Sequence, residues 1–404
     1  MRCGDLYRRV LRKDFYGNPS KETNMTKLLY IAIAHFDAIG VRRKLLAQIT
    51  SLNDLGVNAK MLALTFDSDV PDYVLRNEIT LIRADGLKPR VVKKRILREC
   101  REQILSFNPD IIYLRWPGSG RTFFSVLRGC GKRTIITEHQ SIETVELHSV
   151  KGYRSLVTES LFGRLARRKI QAFVGVTKEI CDYEVDRSCD PGKPCLVNGN
   201  GIDVASVPLR TPADFNRKNL DLLCVAQVAK WHGLDRLIRG MAEYKGSVNV
   251  RLHIVGDGSE VPNLKKLVSD LKLESSVIFH GFKTGEELDE FFDESHIAVG
   301  SLGGHRKSVS ETSELKAREY CARGTPYICS LPDADFPADF PYILRVPSNE
   351  DPIDIEQVVS FAERVCSEKD HPQLMREYAI NNLDWSIKMK KLIDFMNERS
   401  TLRR

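Results

Sequence analysis

Short apolar runs alternate with longer helical patterns along this chain, and the alternation starts again after Asp203. Lys27 to Ala34 (KLLYIAIA) reads as a buried strand, and Leu45, Leu46, Ile49 and Leu52 follow it at helical spacing. Met61 to Leu64, Ile111 to Leu114, Thr134 to Thr137 and Phe173 to Val176 read as further strands with helical patterns between most of them. Such alternation predicts a parallel sheet covered by helices on both faces. In the second half, Leu220 to Val228, Val248 to Val255, Val277 to Phe279, Ile297 to Val299 and Tyr327 to Cys329 are the strands. Leu234 to Tyr244, Val261 to Leu271, Glu286 to Phe292 and Glu314 to Ala322 are the helices between them. Pro208 to Asn219 is polar, carries two prolines and suits a linker. Pro372 to Asn382 and Ser386 to Glu398 read as terminal helices, with Trp385 just ahead of the second. The expected fold class is α/β, with two doubly wound, Rossmann-like parallel-sheet lobes and a site in the cleft between them.

Bulk properties narrow the class. The 404 residues suit two lobes, and 42% hydrophobic with 28% charged residues is ordinary for a soluble globular chain. No apolar run approaches the ~20 residues that span a bilayer, and no secretory signal is visible. Ten cysteines without a C-x-x-C pair fit reduced thiols in a cytoplasmic protein. The net charge of +7 is uneven. Lys88, Arg90, Lys93, Lys94, Arg95, Arg98 and Arg101 crowd one segment, and Arg164, Arg167, Arg168 and Lys169 another. Each cluster is either a solvated helix face or an attractor for anionic phosphate. No nucleic-acid motif with interleaved aromatics accompanies them, so an anionic membrane surface is the expected partner and nucleic acid is not. Residues 1–24 form a basic extension with two readings: a short membrane-surface helix, or an appendage ahead of a start at Met25.

The chemistry concentrates in Ser308 to Ile328, SVSETSELKAREYCARGTPYI. Eight helical steps of ~100° would leave Glu311 and Glu319 about 80° apart, on different faces. The spacing makes sense if Glu311 lies in the loop entering a helix and Glu319 in its second turn. Thr312 or Ser313 is the expected cap. The first-turn amides of Glu314, Leu315 and Lys316 would then form an anion site suited to a diphosphate. Lys316 adds a charge, Glu319 suits a ribose diol, and Glu311 suits sugar hydroxyls. An ordinary amphipathic helix with exposed glutamates is the bland alternative. The glycine-rich loop Gly300 to Gly304 before it and the Gly324-x-Pro326 strand entry after it weigh against that.

Here the sequence resembles glycosyltransferase family 4, retaining enzymes of the GT-B fold with an E-x7-E motif. Leu315 to Ala322 (LKAREYCA) with Arg323 to Pro326 (RGTP) is similar to the branch acting in bacterial surface polysaccharide biosynthesis. Asn200 to Asp203 (NGID), Ile254 to Gly258 (IVGDG), Val277 to Phe282 (VIFHGF) and Lys230 to Arg236 (KWHGLDR) are further points of likeness. The resemblance implies a nucleotide-sugar donor, with Lys230 and His232 at a phosphate loop and Phe282 near the nucleobase. Asp37 to Lys44 (DAIGVRRK) matches a loop in which Gly40 lets backbone approach the donor phosphates. Gln227 and His232 stand where the family has arginine and lysine, and Glu314 where it has a small or apolar residue.

The resemblance also implies an acceptor lobe over residues 25–205, a nucleotide-sugar lobe over 206–370, and C-terminal helices over 371–404 packing toward the first lobe. The acceptor would be a glycan or a polyprenyl-diphosphate-linked glycan. His139, in Thr137 to Ser141 (TEHQS), is the candidate facing the reacting sugar; Glu138 and Glu143 compete with it, and Arg115 would face the cleft. No cofactor and no metal are expected, because helix amides and lysine supply the positive field. A cytoplasmic place at the inner face of the plasma membrane fits these expectations. Three readings compete: another GT-B enzyme such as an epimerase or phosphorylase, a Rossmann dehydrogenase resting on a lone G-x-G, and a non-catalytic sugar-nucleotide or membrane binder.

Overall fold

The computed structural model describes residues 26–33, 36–68, 70, 74, 78–143 and 153–401. The basic extension 1–24, Met25 and Ala34 lie outside the described residues. The chain divides into two compact units, residues 1–201 with 385–404, and residues 202–384.

The first unit is built on strands β1 (Lys27–Ala32), β2 (Asn58–Thr65), β3 (Ile79–Arg83), β4 (Ile111–Arg115), β5 (Thr134–His139), β6 (Ala172–Gly175) and β7 (Cys195–Val197). All pair in parallel, in the order β3-β2-β1-β4-β5-β6-β7. Because successive side chains of a strand point to opposite faces, β1 divides its apolar residues between two cores. Leu28, Tyr30 and Ala32 pack with α1 (Ile39–Asp54) and α12 (Trp385–Thr401). Leu29 and Ile31 pack with α2 (Pro89–Phe107), α3 (Arg121–Gly129) and α4 (Tyr153–Arg168). Helix α5 (Lys178–Ser188) is capped by Thr177, whose hydroxyl accepts from the Ile180 amide.

In the second unit the strands are β8 (Asn219–Val225), β9 (Asn249–Val255), β10 (Val277–Gly281), β11 (Ile297–Val299), β12 (Tyr327–Cys329) and β13 (Ile343–Arg345). They too are parallel, in the order β10-β9-β8-β11-β12-β13. The strand order reverses between β8 and β11, and ligand crevices of open parallel sheets form at such points, beyond the carboxyl ends of the strands. The helices are α6 (Leu234–Glu243), α7 (Val261–Asp270), α8 (Glu286–Glu294), α9 (Leu315–Arg323), α10 (Ile355–Ser367) and α11 (His371–Tyr378). A Cβ at Gly258 would lie 2.1 Å from the Val228 carbonyl oxygen, so only glycine lets these two loops touch.

Three boundaries differ from the sequence expectations. The crossing between units falls at Gly201/Ile202. The stretch read as a linker is anchored to the second unit, because buried Arg210 donates to the carbonyls of Gly324 and Ser295. Of the two terminal helices, α11 belongs to the second unit and α12 to the first, with Trp385 as the opening residue of α12. Among the described residues no helix is long and apolar enough to cross a membrane, and the cysteines are free thiols.

Candidate functional site

The loop after β11 leads into α9. Glu311 lies in that loop and Glu319 at the fifth position of the helix, both half-buried, in the loop-then-second-turn arrangement their spacing suggests. The helix start is shifted. Glu314, in extended conformation, is the N-cap residue without a side-chain cap, so neither Thr312 nor Ser313 fills that role. Thr312 anchors the loop instead, its amide donating to the Pro332 carbonyl at 2.9 Å. The first-turn amides without an intrahelical acceptor are therefore those of Leu315, Lys316 and Ala317. Underneath, fully buried Arg318 pairs with Asp333 and Asp335 and fixes the helix in place.

The ammonium of Lys316 is buried beside this helix start. It lies 3.6 Å from Glu314 and makes no hydrogen bond among the described residues. Glu314, the charged residue at the helix start, is thus turned onto Lys316. Glu319 Oε1 accepts from Arg323 Nε at 3.0 Å, one helical turn on, and Arg323 pairs with Asp289 at 2.7 Å. One carboxylate oxygen of Glu319 remains without a hydrogen bond among the described residues.

Across the switch point, β8 runs into a tight turn at Lys230–His232. His232 is buried, and its Nδ1 accepts from the Ala229 amide at 3.0 Å, which leaves the ring proton on Nε2. Burial, then the charges of Lys316 and Lys307, push its pKa down to about 2, so it is a neutral donor and not a second cation. Lys230 and Gln227 are exposed. Gly233 follows with φ 63°, and a Cβ there would lie 2.5 Å from the Gly303 amide nitrogen. That close approach joins the turn to the glycine-rich loop. Phe282, directly after β10, is 66% exposed. Sequence reasoning missed Arg306, Asp235, Glu350 and Lys307 around this turn. The visible signal was the basic run His305 to Lys307 directly after the glycines.

In the first unit the candidates sit differently from expectation. Glu138 and His139 end β5, and both are buried. Glu138 accepts from Tyr30 at 2.7 Å and Gln48 at 2.9 Å, with Lys44 at 3.1 Å and Arg115 at 3.6 Å. Burial alone would raise its pKa, but Lys44 and Arg115 outweigh it and hold it at about 2. Glu138 is therefore a fixed anion tying strands to α1. One Arg115 nitrogen makes no hydrogen bond among the described residues. His139 does not face outward. Its Nδ1 lies 3.0 Å from Glu184 and its Nε2 2.8 Å from Thr137 Oγ1, while the ring stacks on Trp116. Glu143 is likewise enclosed, accepting from Trp116 at 2.7 Å and from the Ser119 amide at 2.9 Å. Gly40, expected in a loop, lies in the first turn of α1, where it is exposed.

Two parallel-sheet Rossmann-like lobes with this strand order are the GT-B fold. Sucrose-phosphate synthase from Thermosynechococcus elongatus shares it at TM-score 0.64 and 17% identity, over 93% of this chain and 100% of that one. So does the Anabaena protein HepE in complex with UDP and glucose, at TM-score 0.66 and 13% identity, over 92% of this chain and 100% of that one. Residues 209–333, which hold the Lys230 turn, Phe282, Lys316 and both glutamates, match the family model described as Glycosyl transferases group 1. An uncharacterized glycosyltransferase of Methanocaldococcus jannaschii is 29% identical over 109 residues, which span 27% of this chain and 26% of that protein.

Proposed function

We propose that the chain is a retaining glycosyltransferase. Its second unit would hold a nucleotide-sugar donor, and its first unit a glycan or polyprenyl-diphosphate-linked acceptor, in the assembly of a surface polysaccharide. The observation that carries the reading is the buried Lys316 ammonium, without a hydrogen-bond partner among the described residues, beside the free amides of α9. A buried cation that makes no hydrogen bond is costly even with Glu314 at 3.6 Å, and a diphosphate would relieve that cost. As the glycosidic bond breaks, charge accumulates on the leaving diphosphate, where the α9 amides, Lys316 and the Nε2–H of His232 would stabilise it. In this reading the helix start and lysine take the place of a metal ion. The remaining oxygen of Glu319 accepts from the ribose diol, Glu311 from sugar hydroxyls, and Phe282 stacks on the base. No general base is assigned to His139, because both its nitrogens face protein partners.

A thermal-shift panel of nucleotide sugars tests this. One donor is expected to raise Tm clearly, and Glu319→Ala to weaken that donor about tenfold, the cost of roughly one charge-assisted hydrogen bond. A chain that responds to no donor would sink the reading. Binding without transfer is the second reading, favoured by the enclosure of His139; release of nucleoside diphosphate during incubation with donor separates the two.

The basic segment belongs to the same proposal. On α2, Arg90, Lys93, Lys94, Arg98 and Arg101 are exposed, and so are Val91 and Leu105, the latter by 65%. On α4, Arg164, Leu165 and Arg168 are exposed. Cations interspersed with apolar side chains suit the headgroup region of an anionic bilayer, at about 1 kcal/mol per cation near the surface. The Lys93→Glu, Lys94→Glu variant is expected to lose at least tenfold in partitioning to phosphatidylglycerol vesicles. Equal partitioning of wild type and variant would refute the membrane assignment.

A further inference from the structure

The turns following β8, β11 and β13 are knitted together by two arginines. Arg236, on α6, is buried and donates to the carbonyls of Leu302, Pro347 and Asp351. Arg306, in the turn Gly304–Lys307, uses all five of its N–H groups. Nε donates to Glu350 Oε1 at 2.9 Å. One terminal nitrogen donates to the Lys230 carbonyl at 2.8 Å and to Asp235 Oδ1 at 2.7 Å. The other donates to Asp235 Oδ2 at 2.9 Å and to Glu350 Oε2 at 2.5 Å. The side chain is only 10% exposed. Two backbone bonds close the same seam, from the Leu302 amide to the His232 carbonyl at 2.9 Å and from the Gly303 amide to the Trp231 carbonyl at 3.1 Å. Lys307 lies 4.6 Å over the Trp231 ring.

We infer that Arg306 is a positioning residue that sets the Lys230–His232 turn for the diphosphate of the donor. The assignment rests on the donor reading above. It works through two physical routes. A peptide unit is planar and trans, so holding the Lys230 carbonyl fixes the Trp231 N–H on the opposite edge. The three consecutive carbonyls of the turn are all held by the residue 302–306 loop, which leaves the turn a single orientation. The second route is electrostatic. Asp235 lies in the first turn of α6 and Glu350 in the loop after β13, both close to the turn where an anion would dock. Arg306 offsets part of their charge and holds both carboxylates onto itself with a bidentate fork that lysine cannot reproduce.

The test is calorimetric titration of wild type, Arg306→Ala and Arg306→Lys with nucleoside mono- and diphosphates of the base that wild type prefers. Loss of the turn's orientation removes the part of affinity that the second phosphate adds. Arg306→Ala is therefore expected to lose about tenfold in diphosphate affinity, one turn contact's worth, with monophosphate affinity within about twofold of wild type. Arg306→Lys, which keeps the charge and not the fork, should resemble alanine and serves if Arg306→Ala fails to fold. An unchanged ratio of diphosphate to monophosphate affinity overturns the assignment while leaving the donor reading intact. A wild type that binds no nucleoside diphosphate overturns the donor reading and this assignment with it.

Discussion

Replacing Arg167 by methionine is expected to destabilise the first unit by about 3–5 kcal/mol, the cost of stripping one partner from a buried ion cluster. The guanidinium is fully buried and holds three carboxylates: Glu184 at 2.6 Å, Glu159 at 2.7 Å and Glu143 at 3.4 Å. It also stacks 4.7 Å over Trp116. Without it, three enclosed acids share Arg187, which reaches Glu159 at 3.2 Å, and His139 beside Glu184. Urea unfolding followed by tryptophan fluorescence reads the loss, and a change under about 1 kcal/mol would contradict this account. The pH profile has a definite sign. Burial would raise Glu184, but His139 and Arg167 hold it at about 2, as Lys44 and Arg115 hold Glu138. Both add stability that is complete above their ordinary value of 4.5 and lost as pH falls toward 2. Glu143 runs the other way: burial and Glu159 raise it to about 7, so its contribution is complete below 4.5 and lost as pH rises through 7. The stability maximum is expected between these limits.

Lys316→Met is expected to lower kcat/KM for transfer about a hundredfold, comparable to losing one donor aimed at developing charge. Its effect on stability should have the opposite sign. The ammonium is enclosed, 3.6 Å from Glu314 and without a hydrogen bond among the described residues. A methionine of similar shape avoids the desolvation cost. Higher Tm with lower activity is the signature of a residue kept for function. The magnitude is large because two residues after β8 add no charge: Gln227 is neutral, and His232 is held neutral by burial. Wild-type turnover in Lys316→Met would remove Lys316 from the site.

The buried strands were legible because parallel strands covered on both faces read as near-continuous apolar runs. β3, β7 and β13 escaped for the same reason in reverse. They end their sheets, and their residues are largely half-buried, so the apolar signal is diluted. Helix α10 was not singled out either, although Val358, Ala362 and Val365 recur on its buried face. The acidic pair was legible as a loop residue and a helix residue, because helical geometry excluded a shared face. Its capping was not, since whether Thr312 bonds to α9 or to Pro332 depends on a loop that returns from twenty residues later. The end-of-strand position of Glu138 and His139 was also readable. Their orientation was not, because it is set by Tyr30, Gln48 and Glu184, which come from elements distant in sequence.

The assignment of α12 to the first unit has a consequence for how the chain is made. Trp385, Met389, Leu392, Phe395 and Met396 complete the core under α1, yet they follow all of the second unit in the sequence. On a ribosome, which delivers residues in order, the earlier lobe must wait with one core face uncovered while the later lobe is synthesised. The second lobe is continuous, and its ends meet where the Ile202 amide bonds to the Leu383 carbonyl at 2.9 Å. It can therefore finish folding before the first. A helix that emerges after the second lobe closes the lobe that emerged first.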